Sequence, residues 1–275
     1  MQPMLVTGGT GALGRLVVPR LRDAGRRVLM LSRRGHQDED GIEFTTGDLA
    51  TGEGIDAATR GTGIVVHCAG ASRGDEVKTR HLVAAASRAG ARHLVFISVV
   101  GADRVPVTGR LDRAMFGYFA SKLAAERVVA GSGLPWTTLR ATQFHTLSLL
   151  TARQLARLPV IPVAAGFRFQ PVDPAEVADR LVELALGDPA GLVPDLAGPR
   201  IHGMDELVRG YLRARGLRRP IVPLPVPGGA ARALRAGANL APDRAVGRRT
   251  WGEFLADELP PAPGRPAATS VTRGC

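Results

Sequence analysis

Two cysteines in 275 residues, Cys68 and Cys275, leave no basis for a disulfide framework. Cys68 ends an apolar run and reads as a small core residue. The six histidines, His36, His67, His81, His93, His145 and His202, share no metal-ligand spacing with one another or with cysteine, so no metal is expected. Aromatic residues make up only 4% of the chain, and neither a dense basic run nor a helix-turn-helix pattern occurs. Specific nucleic-acid binding is therefore not expected despite the net charge of +11. Lysine is nearly missing, with two against 34 arginines, a bias that reads as a GC-rich coding background. The longest apolar stretches, such as Leu94 to Val100, are too short to cross a bilayer, and no charged and apolar leader opens the chain. A cytoplasmic protein with no membrane partner is expected.

What is present begins at the N-terminus. Met4-Leu5-Val6 leads into Thr7-Gly8-Gly9-Thr10-Gly11-Ala12-Leu13-Gly14, a strand emptying into a glycine turn and a helix. Gly8 suits a tight turn, Gly11 lets backbone N–H groups approach an anion, and Gly14 lets the helix pack close on the strand. The helix N-terminus adds unpaired donors and a positive dipole end, the arrangement that holds a dinucleotide pyrophosphate.

Strand-like runs follow at Arg27–Leu31, Ile42–Thr46, Ile64–His67, His93–Ser98 and Trp136–Arg140, alternating with amphipathic stretches at Ala12–Ala24, Gly54–Arg60, Val77–Ala89 and Arg113–Ala130. This alternation predicts parallel βαβ units with helices on both faces, whose strands are nearly all apolar. After Arg140 come a helix over Phe144–Arg157, a helix from Pro174 to about Leu186 capped by Asp173, a strand near Leu192–Leu196, a helix near Met204–Arg215, a strand at Pro220–Leu224 and a helical end to about Glu258. The expected division is a dinucleotide-binding domain over 1–143, an interwoven substrate lobe over 144–259, and a disordered tail over 260–275.

Candidate site residues lie at the carboxyl ends of the strands, where open α/β sheets bind ligands. The second strand ends in Ser32-Arg33-Arg34. A carboxylate there would accept the ribose 2′-hydroxyl of NAD, whereas an arginine can pair with a 2′-phosphate, so NADP(H) is the expected cofactor. The alternative is two more solvated arginines. Asp48 and Leu49 follow the third strand, with Asp48 a candidate for the adenine amino group. Ala69, Gly70 and Ala71 follow the fourth, small enough for backbone to lie against a cofactor. Either group also fits plain turn chemistry.

Tyr118 and Lys122 stand four residues apart on one helix face. With two tyrosines and two lysines in the chain, chance is a weak competitor. A neighbouring cation favours the ionised phenol and moves its pKa toward useful values. Ser98 ends the fifth strand, from which it could bond a substrate oxygen. Thr142, Gln143, Phe144 and His145 follow the sixth; Thr142 is a candidate cofactor contact, the others candidate substrate contacts, and for His145 a satisfied structural role competes.

Together the glycine motif, Asp48, Ser98, Tyr118 and Lys122 resemble the short-chain dehydrogenase/reductase superfamily, over about residues 3–200. The Gly-x-x-Gly-x-x-Gly form is similar to its extended and atypical branches, including NmrA-like and NAD(P)H-binding relatives. The resemblance implies a Rossmann-type doubly wound α/β fold with a small C-terminal α/β substrate lobe. It also implies an NADP(H)-dependent oxidoreductase acting on a small carbonyl or alcohol. Tyr118 would be the acid/base, Lys122 would bind the nicotinamide ribose and lower the Tyr118 pKa, and Ser98 would orient the substrate oxygen. Where relatives carry asparagine, this chain has Asp75, a candidate in the catalytic set or a helix cap. A non-catalytic NADP(H) sensor, an epimerase or dehydratase, and a quinone reductase are the alternatives on this fold. The oligomeric state, monomer or homodimer, stays open.

Overall fold

The computed structural model describes residues 2–35, 37–38, 41–70 and 74–259. His36, Ala71, Cys275 and the tail predicted as disordered lie outside them. In chain order the elements are β1 (Met4–Thr7), α1 (Gly14–Asp23), β2 (Val28–Ser32), β3 (Ile42–Thr46), α2 (Ile55–Thr59), β4 (Ile64–His67), α3 (Asp75–Arg88), β5 (His93–Val99), α4 (Arg110–Ala130) and β6 (Trp136–Ala141). The second part carries α5 (His145–Leu155), β7 (Ile161–Ala164), β8 (Arg168–Phe169), α6 (Pro174–Leu186), β9 (Gly191–Leu192), β10 (His202–Gly203), α7 (Met204–Ala214), β11 (Ile221–Leu224), α8 (Gly229–Arg235) and α9 (Trp251–Glu258).

Seven strands form one parallel sheet in the order β3-β2-β1-β4-β5-β6-β9. The chain reverses its direction of travel across the sheet between β1 and β4, the switch point at which such sheets open a crevice. Side chains alternate between two cores. Met4, Val6, Val66, Val95 and Ile97 pack on the side of α1 and α6. Leu5, Val65, Leu94 and Phe96 pack under α2, α3 and α4. Both faces are covered, which is why β1, β4 and β5 are apolar at nearly every position.

The chain beyond β6 does not stand apart. Helix α6 buries Val177, Ala178, Leu181 and Ala185 against α1 and the sheet, capped as expected by the Asp173 carboxylate on the Ala175 N–H at 2.7 Å. Strand β9 joins the sheet beside β6, and the other elements form the small lobe. Its core joins α5, α7 and α9 through Leu149, Leu207, Tyr211, Trp251 and Phe254. The pair β7–β11 is parallel and β8–β10 antiparallel.

Three expectations change. The strand near Leu192–Leu196 is only Gly191–Leu192, since Pro194 has no N–H to continue the ladder, and Leu196 rejoins through a bridge to Ala141. The helical end divides into α8, a 3₁₀ turn at Pro242–Arg244 and α9. The two-residue strands β8 and β10 have no sequence signal, being too short to show alternation.

Candidate active site

The glycine turn is built by close approach. Gly8 has φ +72°, and a Cβ there would lie 2.5 Å from the Ala69 nitrogen, so the end of β4 packs directly on the turn. At Gly14 a Cβ would lie 2.1 Å from the Gly8 oxygen and 2.6 Å from the Gly9 Cα. The turn closes with the Gly11 N–H on the Gly8 oxygen at 2.9 Å. Helix α1 begins without a side-chain cap; its Arg15 and Leu16 N–H groups turn back onto the Gly11 and Leu13 oxygens at 3.1 and 2.9 Å, so what it offers an anion is its positive dipole end and the backbone of the turn before it. Thr10, Gly11 and Ala12 are exposed on this rim. A cradle that only glycine can line, at the sheet's switch point and beneath an uncapped helix end, fits a dinucleotide diphosphate.

Several predicted cofactor contacts are spent on packing. The Thr7 hydroxyl is buried and shares a 2.6 Å hydrogen bond with Nδ1 of His67, whose Nε2 meets Thr79 Oγ1 at 3.2 Å. Leu13 and Leu49 point into the two cores, leaving only their backbones near the rim. Asp48 accepts the Ala50 N–H at 2.8 Å in a local turn. Thr142 is buried, its hydroxyl accepting the Gly198 N–H at 3.3 Å. By contrast, Arg33 and Arg34 are exposed just past β2, and neither forms an ion pair among the described residues. The Ser32 hydroxyl accepts the Arg34 N–H at 3.2 Å and so shapes that bend.

Nor do the candidate substrate residues line the crevice alike. His145 is buried in the lobe, stacked on Trp251 and Phe254 with Nε2 on the Arg249 oxygen at 3.0 Å, so its role is packing. Burial holds its imidazole neutral by lowering its pKa. Phe144 packs against the α1–α6 core, and Gln143 is half-buried with its carbonyl on the Val172 N–H.

The chemistry-bearing side chains converge elsewhere, between β4, β5, α3 and α4. Lys122 is 3% exposed and forms an ion pair at 3.2 Å with Asp75, which is 1% exposed. Its ammonium also donates to the Ile97 oxygen at 3.2 Å and lies 4.9 Å from the Phe96 ring centroid and 5.9 Å from that of Tyr118. Gly70 closes over this pair, where a Cβ would lie 3.2 Å from Nζ. Ser98 shares the Phe96 face of β5; its buried hydroxyl has no hydrogen-bond partner among the described residues. Tyr118, one turn before Lys122, keeps 38% of its surface open.

Two expectations are corrected here. Asp75 does not cap α3, which starts from Gly74 at φ +78°; its carboxylate turns inward to Lys122, while its N–H donates to Ser121 Oγ at 3.2 Å. The Tyr118 phenol is pushed up to about 12, by burial first and by the Asp75 charge second, rather than lowered by Lys122. The sequence reading also missed Arg140, whose guanidinium binds Glu126 of α4 at 2.6 and 2.9 Å and Asp103 at 2.9 Å. A lone arginine in an apolar strand was the available signal, and its pairing fixes α4 against β6.

The profile of the NAD(P)H-binding family matches residues 8–185, from the first glycine of the cradle to the end of α6. The chain belongs to the NAD(P)H-binding family. This NAD(P)H-binding protein is 30% identical over 244 residues to a ceramide reductase of Caulobacter vibrioides, covering 81% of this chain and 74% of that protein. It is 32% identical over 188 residues to a (4-alkanoyl-5-oxo-2,5-dihydrofuran-3-yl)methyl phosphate reductase of Streptomyces griseus, over 64% of this chain and 60% of the relative's length. In fold it matches the NADPH-dependent quinone oxidoreductase of Escherichia coli, with a TM-score of 0.76 at 19% identity over 93% of this chain and 99% of that one. The triphenylmethane reductase of Citrobacter sp. gives 0.74 at 19% identity, over 94% and 100%.

Proposed function

We propose that this protein is an NADP(H)-dependent reductase of the atypical short-chain type, adding hydrogen across a carbonyl of a small organic substrate. The observation that carries the reading is the Lys122 ammonium 5.9 Å from the Tyr118 ring and bonded to the Ile97 oxygen of β5, one residue before Ser98, whose buried hydroxyl has no hydrogen-bond partner among the described residues. Two relatives named as reductases, and fold neighbours solved with NADPH or NADP(H), support it.

In this reading the Gly8–Gly14 turn and the N-terminus of α1 hold the diphosphate, and Arg33 with Arg34 holds the 2′-phosphate. The bound dinucleotide supplies the hydride. Ser98 donates to the substrate oxygen and fixes it near Tyr118. Tyr118 gives its phenolic proton to that oxygen as the carbon is reduced, and recovers one from solvent. Lys122, held by Asp75 and the Ile97 oxygen, orients the neighbouring ribose.

The test is NADPH oxidation against a panel of aldehydes, ketones and quinones. Wild-type protein should turn over at least one of them, and Tyr118→Phe should lose about 10²–10⁴-fold in kcat with NADPH affinity nearly unchanged. Full turnover by Tyr118→Phe would refute the mechanism. Tight NADPH binding with no turnover across the panel would favour a sensor.

A further inference from the structure

The pair beneath Tyr118 is unusual in its balance of charge. Lys122 and Asp75 are both almost fully buried and lie 3.2 Å apart, so the tyrosine faces the ammonium together with a carboxylate of opposite sign rather than the ammonium alone. Other ionisable groups lie around it on the neighbouring elements. On β4, burial and the Lys122 charge hold His67 neutral with a pKa of about 3, and burial holds the Cys68 thiol protonated with a pKa of about 12. On α4, Glu126 is bound to Arg140, and from α3 the Lys78 charge acts on His67. Ser121 holds the Asp75 backbone, which keeps the carboxylate aimed inward.

We propose that Asp75 is a positioning residue whose carboxylate opposes the Lys122 charge at Tyr118, favours the protonated tyrosine, and so sets this site for proton donation, the direction of reduction. This rests on the reading of Tyr118 as the acid. A phenol beside an uncompensated cation ionises readily and serves proton removal from an alcohol; a carboxylate beside that cation favours the phenol that keeps its proton for a carbonyl oxygen. The raised pKa of Tyr118 agrees with that geometry.

The chain's second tyrosine, Tyr211, is buried in the lobe, so Tyr118 ionisation can be read from tyrosinate ultraviolet absorbance as the difference from Tyr118→Phe. The titration needs no substrate and is kept within the pH range where circular dichroism stays native. In Asp75→Asn, Tyr118 should titrate about one to two pH units lower than in wild type, the effect of one charge removed at about 6–8 Å in a medium of effective dielectric ~20. The direction holds whichever of Tyr118 and Lys122 loses the proton, because removing a nearby negative charge loosens both. Asp75→Glu should keep the wild-type midpoint. Asp75→Ser, at home in a first helical turn, removes the same charge if the asparagine variant does not fold, and should show the same drop. An unchanged or higher midpoint on loss of the carboxylate overturns the proposal. With an active substrate, the alkaline limb of kcat/KM for reduction should move down with the midpoint. Failure of Tyr118→Phe to lose turnover would instead remove the catalytic reading and leave the titration result standing.

Discussion

Gly14→Ala is the sharpest perturbation available to the dinucleotide cradle. The added methyl would fall 2.1 Å from the Gly8 oxygen, 2.6 Å from the Gly9 Cα and 2.8 Å from the Gly8 carbonyl carbon. All three are backbone atoms of the turn, so no side chain can rotate away. Carbon–oxygen contact needs about 3.4 Å, and α1 or the turn must therefore shift by about 1 Å. Overpacking of this kind costs about 1–3 kcal/mol, which in a protein of this size lowers Tm by about 3–9 °C. Alanine's better helix propensity returns at most about 1 kcal/mol. Because the displaced atoms form the cradle, affinity should suffer more than stability, and NADPH Kd should rise by about tenfold or more. Thermal melts with and without NADPH, together with calorimetric titration, read both quantities. Gly117→Ala is the control: a Cβ there meets nothing within 4 Å, so it should leave Tm equal or slightly raised. Wild-type Kd and Tm in Gly14→Ala would refute the close-approach argument and with it the placement of the diphosphate.

Arg33→Asp should lower the ratio of NADPH to NADH affinity by about 10- to 100-fold, the worth of one charge-assisted contact to a phosphate; an unchanged ratio in fluorescence titrations would assign these arginines to solvent. His67 predicts a pH dependence of stability. Its folded pKa of about 3 lies below the ordinary 6.5, so the unfolded chain binds the extra proton first, and stability is lost as pH falls below 6.5 toward 3. Urea unfolding should show about 2 kcal/mol less stability at pH ~4.5 than at pH 7 from this group, and His67→Gln should flatten that portion of the curve. A variant with the wild-type slope would place the acid sensitivity elsewhere.

The sheet was legible because a strand covered on both faces is mostly apolar, and β1, β4 and β5 are such runs, broken only by Thr7, His67, His93 and Ser98, in a chain with many polar breaks. The glycine turn was legible because spacing alone prescribes which backbone atoms must touch. The fate of individual polar groups was less so. Thr7, Thr142 and His145 sit at the right strand ends, yet each points to a partner 50 or more residues away, in Thr7's case His67, that no local pattern announces. Asp75 shows the same limit. Its place at the start of a helix suggests a cap, and only the packing of α3 on α4 reveals Lys122 within reach.

Helix α6 and strand β9 also constrain how this protein can be rebuilt. They belong by packing to the sheet, but they lie in sequence between β8 and β10, so the segments that form the lobe enter it on two separate passes of the chain. A chimera with one crossover after residue 143 would exchange part of the sheet's own core along with the lobe. Replacing the lobe with a relative's calls for two grafts, one before α6 and one after β9, with the stretch between them left native.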